Sequence, residues 1–216
     1  MPNRSNKQKK TSHKGAGELR LIGGFLRGRK LSIADLPGLR PTTDRIRETL
    51  FNWLQFELAQ QRVLDAFAGS GALGFEALSR GAASVILLER NKQAATLLQQ
   101  HAKVLNQAMQ ARDLPEPCQA KALATDALTY LAQPAPQQFD VVFIDPPFQQ
   151  GLADKCIAAL EQQQWLAPDS WVYVETEANW IAQVPVDWHL YREKRAGQVA
   201  FRLYQVTSTN VTPIPE

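Results

Sequence analysis

Val63-Leu64-Asp65-Ala66-Phe67-Ala68-Gly69-Ser70-Gly71-Ala72-Leu73-Gly74 decides the fold. An apolar run of strand length, Val63–Phe67, meets a turn built on Gly69, Gly71 and Gly74. A helical pattern, Leu73–Arg80, follows at once and is stopped by Gly81. Glycine permits the tight turn and lets a ligand touch the backbone. The helix N-terminus adds a partial positive end. Strand, glycine turn and helix form the opening unit of a doubly wound α/β sheet.

The chain around this unit repeats the alternation. Strands are expected at Val85–Glu89, Phe139–Asp145 and Trp171–Glu175, with a weaker one near Gln119–Ala124. Helical spacing recurs at Lys92–Met109, Asp126–Ala132 and Asp154–Trp165. Such alternation implies parallel strands joined by right-handed crossovers. Near the C-terminal end, Val186, Trp188 and Leu190, then Val199, Phe201 and Leu203, alternate with period two about Glu193-Lys194-Arg195-Ala196-Gly197, which predicts an antiparallel hairpin. Upstream, Leu19–Leu31, broken by Gly23-Gly24 and Gly28, reads as a short β-ribbon. Pro41-Thr42-Thr43-Asp44 then starts a helix, with Thr43 or Asp44 as N-cap and Ile46, Leu50, Trp53, Leu54 and Leu58 as its apolar stripe. The expected organisation is a basic, disordered tail (1–18), a β/α extension (19–60), the α/β domain (61–207) and a C-terminal tail (208–216).

Composition bounds the function. A length of 216 residues, 44% hydrophobic and 21% charged, suits a soluble globular chain with a full core. No apolar stretch approaches membrane-spanning length, and the N-terminal region has no apolar h-region, so neither a membrane nor a secretory route is expected. Cys118 and Cys156 form no metal spacing and no disulfide framework, which points to a reducing cytoplasm and no metal. The net charge of +3 conceals an asymmetry: residues 1–47 carry twelve Lys/Arg against three acids, +9, and the remainder twelve against eighteen, −6. A basic front on an acidic body suits a polyanion. A Lys-rich terminus can equally serve solubility, but Arg20, Arg27, Arg29 and Arg40 lie inside patterned sequence interleaved with glycine, where guanidinium and backbone can approach phosphate.

Two motifs carry chemistry. Gly69-Ser70-Gly71-Ala72-Leu73-Gly74 matches the dinucleotide fingerprint, and Glu89, ending the next strand, lies at a ribose-binding distance. Asp65 shifts that reading, because an acid beside a pyrophosphate is unhelpful, whereas it suits the ammonium of a methionine moiety. Asp126 fits either an adenine amino group or a helix N-cap. In the second motif, the buried strand Phe139–Ile144 delivers Asp145-Pro146-Pro147-Phe148 to the carboxyl edge, where open α/β sheets bind ligands. Two prolines fix the loop and remove two N–H donors, leaving carbonyl acceptors. A carboxylate oxygen and a proline carbonyl can hold both hydrogens of a planar amine, while Phe148 stacks on its heterocycle.

These motifs resemble those of class I S-adenosylmethionine-dependent amino-methyltransferases. From about Leu19 to Val206 the chain is similar to the bacterial 16S ribosomal RNA guanine-N2 methyltransferase family. Its most specific stretches are Arg40-Pro41-Thr42-Thr43-Asp44-Arg45-Ile46-Arg47-Glu48-Thr49-Leu50-Phe51-Asn52-Trp53-Leu54 and Arg192-Glu193-Lys194-Arg195-Ala196-Gly197-Gln198. The resemblance implies a doubly wound, mostly parallel seven-stranded sheet with a C-terminal antiparallel hairpin and a small N-terminal β/α extension used on RNA. It implies S-adenosylmethionine held by Asp65, Phe67, Ala68, Gly69, Ser70, Gly71, Gly74, Glu89 and Asp126. Catalysis would fall to Asp145, Pro146, Pro147 and Phe148. RNA contacts would fall to Arg20, Arg27, Arg29, Arg40, Thr42, Arg45, Arg192, Lys194 and Arg195. The implied partner is 16S ribosomal RNA on an assembled or assembling small subunit, met by a cytoplasmic monomer. Two enzyme readings compete: a DNA amino-methyltransferase, for which no segment is left to serve as a target-recognition region, and a nicotinamide-dependent oxidoreductase, which leaves the Asp-Pro-Pro-Phe clamp without a task. A protein-glutamine methyltransferase would not need the basic front, and a non-enzymatic RNA binder explains the charge alone.

If the basic front contacts RNA, replacing Arg27 and Arg29 with alanine weakens RNA association and flattens its salt dependence by about one unit of log–log slope per lost phosphate contact. Filter binding across a salt series reads this directly; an unchanged slope returns both residues to the solvated surface.

Overall fold

The computed structural model describes residues 17–36, 43–112 and 114–207. The expectations for Arg40, Thr42 and both terminal tails lie outside them, except that Glu18, placed in the tail by the sequence reading, joins the first strand. In chain order the elements are β1 (Glu18–Arg20), β2 (Lys30–Ser32), α1 (Asp44–Trp53), β3 (Arg62–Asp65), α2 (Ala72–Ser79), β4 (Ser84–Glu89), α3 (Lys92–Gln110), β5 (Gln119–Ala124), α4 (Ala127–Leu131), β6 (Phe139–Ile144), α5 (Leu152–Gln162), β7 (Leu166–Glu177), β8 (Trp188–Ala196) and β9 (Val199–Val206).

Seven strands form one sheet in the order β5-β4-β3-β6-β7-β9-β8, and β1 pairs with β2 as a separate ribbon. β5, β4, β3, β6 and β7 are parallel, whereas β9 runs antiparallel to β7 and β8 antiparallel to β9. The central strands are apolar without alternation because both faces are covered: Val63, Leu64, Val141, Val142, Phe143 and Ile144 are wholly buried. One face packs against α1, α2 and α3 through Leu50, Phe51, Phe75 and Leu105, and the other against α4 and α5 through Leu131, Ile157 and Leu160.

The N-terminal ribbon and α1 share the first of these cores, so the extension is packed into the sheet domain and not appended to it. Their attachment point is α2. Buried Glu76 accepts the Ile22 amide at 2.8 Å and the Arg80 Nε at 2.8 Å, and lies 3.7 Å from Arg47. Arg47, 1% exposed, donates to the Arg20 carbonyl and to Asp44. About one turn further along α2, Ser79 accepts the Leu26 amide and donates to the Gly23 carbonyl, while its own carbonyl takes the Phe25 amide. Gly24, at φ 71°, lies so close that a Cβ there would stand 1.9 Å from the Ser79 oxygen. His101 on α3 holds the ribbon through the Ser32 carbonyl at 2.8 Å.

Three local expectations are corrected. Thr43 occupies the N-cap position of α1 but its side chain makes no cap bond; Asp44 turns instead to Arg47. Val186 is exposed and lies before β8. The hairpin turn is Gly197-Gln198, so Arg192, Glu193, Lys194, Arg195 and Ala196 belong to β8 and not to the connection. β8 is an edge strand held by backbone pairing on one side, so its exposed charges cost nothing and discourage pairing with another chain.

Replacing Glu76 with alanine leaves the Ile22 amide and the Arg80 guanidinium without their buried partner and is expected to destabilise the protein by about 3–5 kcal/mol. Urea denaturation with both tryptophan fluorescence and circular dichroism measures it; a loss below about 1 kcal/mol would show that the cluster carries little.

Candidate active site

The site follows from one pairing. β3 and β6 are neighbours, with Val63 opposite Val141, Leu64 opposite Val142 and Asp65 opposite Phe143, and the Ala66 amide extends the ladder to the Phe143 carbonyl at 3.0 Å. From β3 the chain steps to β4 and β5 on one side, and from β6 to β7 on the other. This is the switch point of a doubly wound sheet, where the loops leaving adjacent strands part and open a crevice. The glycine turn leaves β3 and Asp145-Pro146-Pro147-Phe148 leaves β6, so both open on the carboxyl edge, about 4.8 Å apart at the strands.

The glycine turn is held by acids. Asp65 is 1% exposed, and its Oδ2 accepts the Gly74 amide at 2.9 Å. It therefore braces the turn from behind. Burial pushes its carboxyl up to about 7, opposed by the Gly74 amide and reinforced by the charge of Glu89. Glu89, at the end of β4, accepts the Gly69 amide at 3.0 Å and the Asn91 amide at 2.6 Å. Gly71 caps α2 at φ 78°, and a Cβ there would meet the Phe75 ring at 2.5 Å and Leu98 at 2.8 Å, so only glycine fits. Phe67 and Gly69 are half-buried, and Ala68 and Ser70 are buried. Asp126, after β5, caps α4 through Oδ1 and the Thr129 amide at 3.0 Å, the N-cap alternative of the sequence reading.

The proline loop is equally constrained. Asp145 is half-buried, Pro146 is buried, and Pro147 and Phe148 face solvent, Phe148 at 39%. Gln149, at φ 61°, donates its amide to Glu177 at the end of β7, tying the loop to the neighbouring strand. Asp154 on α5 accepts Trp180 Nε1 at 3.1 Å, and Arg202 lies over the Trp180 ring while pairing with Glu193 at 3.0 Å. These links join β6, β7 and the terminal hairpin into one wall.

The basic residues divide. The β8–β9 tip lies at the carboxyl edge, because Val199 pairs with Glu177 at the end of β7, and Arg192, Lys194 and Arg195 are exposed along that hairpin. Arg45 is exposed in the first turn of α1. Arg27 and Arg29 are exposed on the ribbon loop that caps the far end of α2, at the amino edge of the sheet; Arg20 is exposed at the end of β1. The structure thus does not gather all the predicted phosphate contacts around Asp145. Sequence reasoning also passed over Tyr173 and Glu175 on β7: the phenol donates to Glu175 Oε2 at 2.7 Å, and both are buried. Their signal was an acid closing the apolar run Val172-Tyr173-Val174.

The donor and acceptor set selects its ligand. Glu89 and Asp126 set carboxylates at the ends of β4 and β5, suited to a ribose diol and an amino group and hostile to a pyrophosphate, while Asp65 stays behind the turn. Residues present therefore fit S-adenosylmethionine better than a nicotinamide dinucleotide. The family described as conserved hypothetical protein 95 matches residues 19–205. Ribosomal RNA small subunit methyltransferase D of Escherichia coli (strain K12) is 47% identical over 198 residues, covering 91% of this chain and 94% of that protein. The protein of the same name from Haemophilus influenzae is 46% identical over 190 residues, 88% of this chain and 94% of its own length. Among solved structures, the Escherichia coli protein yhhF aligns with a TM-score of 0.78 at 45% identity, covering 88% of this chain and 99% of its own.

Asp65 also makes stability depend on pH. Its folded carboxyl binds a proton more tightly than the unfolded one, so the stabilisation is complete below about pH 4 and is lost as pH rises towards 7. The slope contributed is at most about 1.4 kcal/mol per pH unit. Urea melts from pH 4.5 to 8 should show this fall in the native protein and its absence in Asp65→Asn; equal slopes in the two proteins would contradict the burial argument.

Proposed function

The chain belongs to the ribosomal RNA small subunit methyltransferase D family, and from that premise we infer that it methylates the exocyclic N2 amino group of a guanine in 16S ribosomal RNA. The observation that carries this reading is the adjacency of β3 and β6, which puts an amine clamp beside a cofactor turn on one edge of one sheet. The DNA and nicotinamide alternatives gain no comparable support.

S-adenosylmethionine, when bound, supplies a methyl group on a positively charged sulfur, and the sulfur keeps the bonding pair as the methyl leaves. Glu89 and the backbone of Phe67, Ala68, Gly69, Ser70 and Gly71 would hold its nucleoside and methionine portions. Asp126, besides capping α4, would accept an adenine amino group, and Asp65 acts through the turn it braces. The residues of the second loop face the difficulty of the acceptor: the N2 lone pair of guanine is delocalised into the ring and is a poor nucleophile. Asp145 and the Pro146 carbonyl accept the two N2–H hydrogens, favour a pyramidal nitrogen and fix the direction of its lone pair. Pro147 keeps the loop rigid. Positioning of this kind can supply roughly 7–11 kcal/mol of barrier reduction. The proton that N2 must lose becomes acidic only as the new N–C bond forms, so Asp145 orients first and accepts second.

A guanine inside folded RNA must be turned out to reach this loop, and exposed Phe148 offers it a stacking face. Arg192, Lys194, Arg195 and Arg45 would meet phosphates near the target, with Arg20, Arg27 and Arg29 serving a more distant part of the RNA. Arg40 and Thr42 belong to the same proposal on sequence grounds. The proposal is of a monomer that meets assembling small subunits in the cytoplasm. The boundaries 19–60 for an RNA-facing extension and 61–207 for the methyl-transfer domain are kept as a division of labour, not of packing.

Asp145→Ala should lower turnover on small subunits by roughly 100-fold or more while leaving S-adenosylmethionine affinity within about twofold. Methyl incorporation and calorimetry separate the two; a parallel collapse of cofactor binding would refute the assignment of this loop to the acceptor.

A further inference from the structure

Tyr173 and Glu175 lie deep in the wall behind the proline loop, and nothing in the methyl-transfer scheme above uses them. Glu175 is 6% exposed and Tyr173 fully buried, joined by a 2.7 Å bond from phenol to carboxyl. Burying a carboxyl group without a cation costs several kcal/mol. Among the described residues no cation pairs with Glu175.

The position of this pair identifies its use. β6 and β7 run in register, with Phe143 opposite Tyr173 and Ile144 opposite Val174. The ladder ends there, and the same register carried one residue further sets Asp145 level with Glu175. Phe143 and Tyr173 share one core and Ile144 and Val174 the other, so alternation turns Asp145 and Glu175 to the same face, about 5 Å apart at the backbone. The groups around Glu175 can be named element by element. β7 contributes Tyr173, and Glu177 beyond it holds the Gln149 amide. β6 contributes Asp145, and β9 sets Phe201 opposite Glu175. The Arg202 guanidinium is on the other face, with Thr176 and Glu193. α1 brings the rings of Phe51 against Phe143 and Trp53 against Phe201.

We propose that Glu175, gripped by the Tyr173 phenol, is a positioning residue for Asp145, and that the two carboxyl groups share one proton. Two carboxyls on neighbouring strand ends, one of them buried, resist ionising together. The shared proton bridges them and leaves the outer oxygen of Asp145 aimed at the acceptor amine. When N2 gains its methyl it gives one proton to Asp145; the pair then carries two protons and returns to one by releasing the other to water. Burial raises the Glu175 carboxyl, and the Tyr173 phenol is held well above its ordinary value by burial and by the charges of Glu175 and Asp145, in keeping with Asp145 lying near the buried pair.

This inference rests on Asp145 being the amine-facing carboxylate, so its test begins without cofactor or substrate. In the full-length chain labelled with 13C at its carboxyl groups, the Asp145 resonance should titrate in two coupled steps. In Glu175→Gln it should titrate in one, and in Tyr173→Phe the two steps should move. Superimposable Asp145 curves in all three proteins would overturn the proposal while leaving the role of Asp145 itself to the alanine variant above. In turnover, Glu175→Gln should lose about tenfold or more in kcat with the KM for RNA and the affinity for S-adenosylmethionine unchanged. Tyr173→Phe, which keeps the packed ring, should lose less. A wild-type kcat in Glu175→Gln would likewise overturn it.

Discussion

The three residue pairs that join β3 to β6 determine where chemistry can happen in this molecule. Two of them join apolar residues and the third sets Asp65 opposite Phe143, and all six residues are buried. Yet they set the glycine turn and the proline loop on neighbouring strands, pointing the same way, with the chain departing in opposite directions on either side. A methyl donor held on the first loop lies within reach of an amine held on the second because two strands cannot pair without placing their ends about 4.8 Å apart. Every other feature refines that placement. Asp65 pins the first loop from behind, Glu89 from the flank, and Glu177 ties down the second.

The molecule places most of its buried charge where parts must be held in register, and little of it at the surface. Glu76 lies under the ribbon, meeting Ile22, Arg80 and Arg47 at once, and Tyr173 with Glu175 lies under the proline loop. Such groups are poor investments in stability alone, since well-packed apolar residues of the same volume often do better. They fix orientation instead. A hydrophobic contact between ribbon and α2 would tolerate sliding, whereas a carboxylate that must satisfy an amide and a guanidinium tolerates one arrangement.

How much of this is legible in the sequence depends on the range of the interaction. The strands and both loops are signalled by local features: an unbroken apolar run says buried parallel strand, and glycine or proline immediately after it says where the strand must stop. The parallel, doubly wound character of the sheet follows from the alternation of elements, and the strand expected near Gln119–Ala124 spans those residues. Contacts between distant residues leave no such trace. Arg47 sits in a basic helix start and reads as surface, though its partner Glu76 lies 29 residues on; only the packed structure reveals that the pair is buried. The charged run Arg192–Arg195 reads as a turn because strands are recognised by apolar alternation, which an edge strand does not need. Asp126 kept both of its readings until the Thr129 amide declared one of them. Glu175 was visible as an acid at the end of a strand, but its neighbour Asp145 is 30 residues away, and the adjacency exists only through the sheet.

The helix α2 has eight residues, about 12 Å of axis, and both its ends are committed: the first turn to the glycine loop, the last to the ribbon through Ser79 and Gly24. It therefore acts as a ruler with a fixed phase. Adding or removing a single residue inside it would rotate the ribbon about the helix by roughly 100° and slide it by about 1.5 Å, swinging Arg27 and Arg29 to a different side of the molecule while the catalytic edge stayed where it was. Natural variation in this protein can thus change the residues of α2 but not their number.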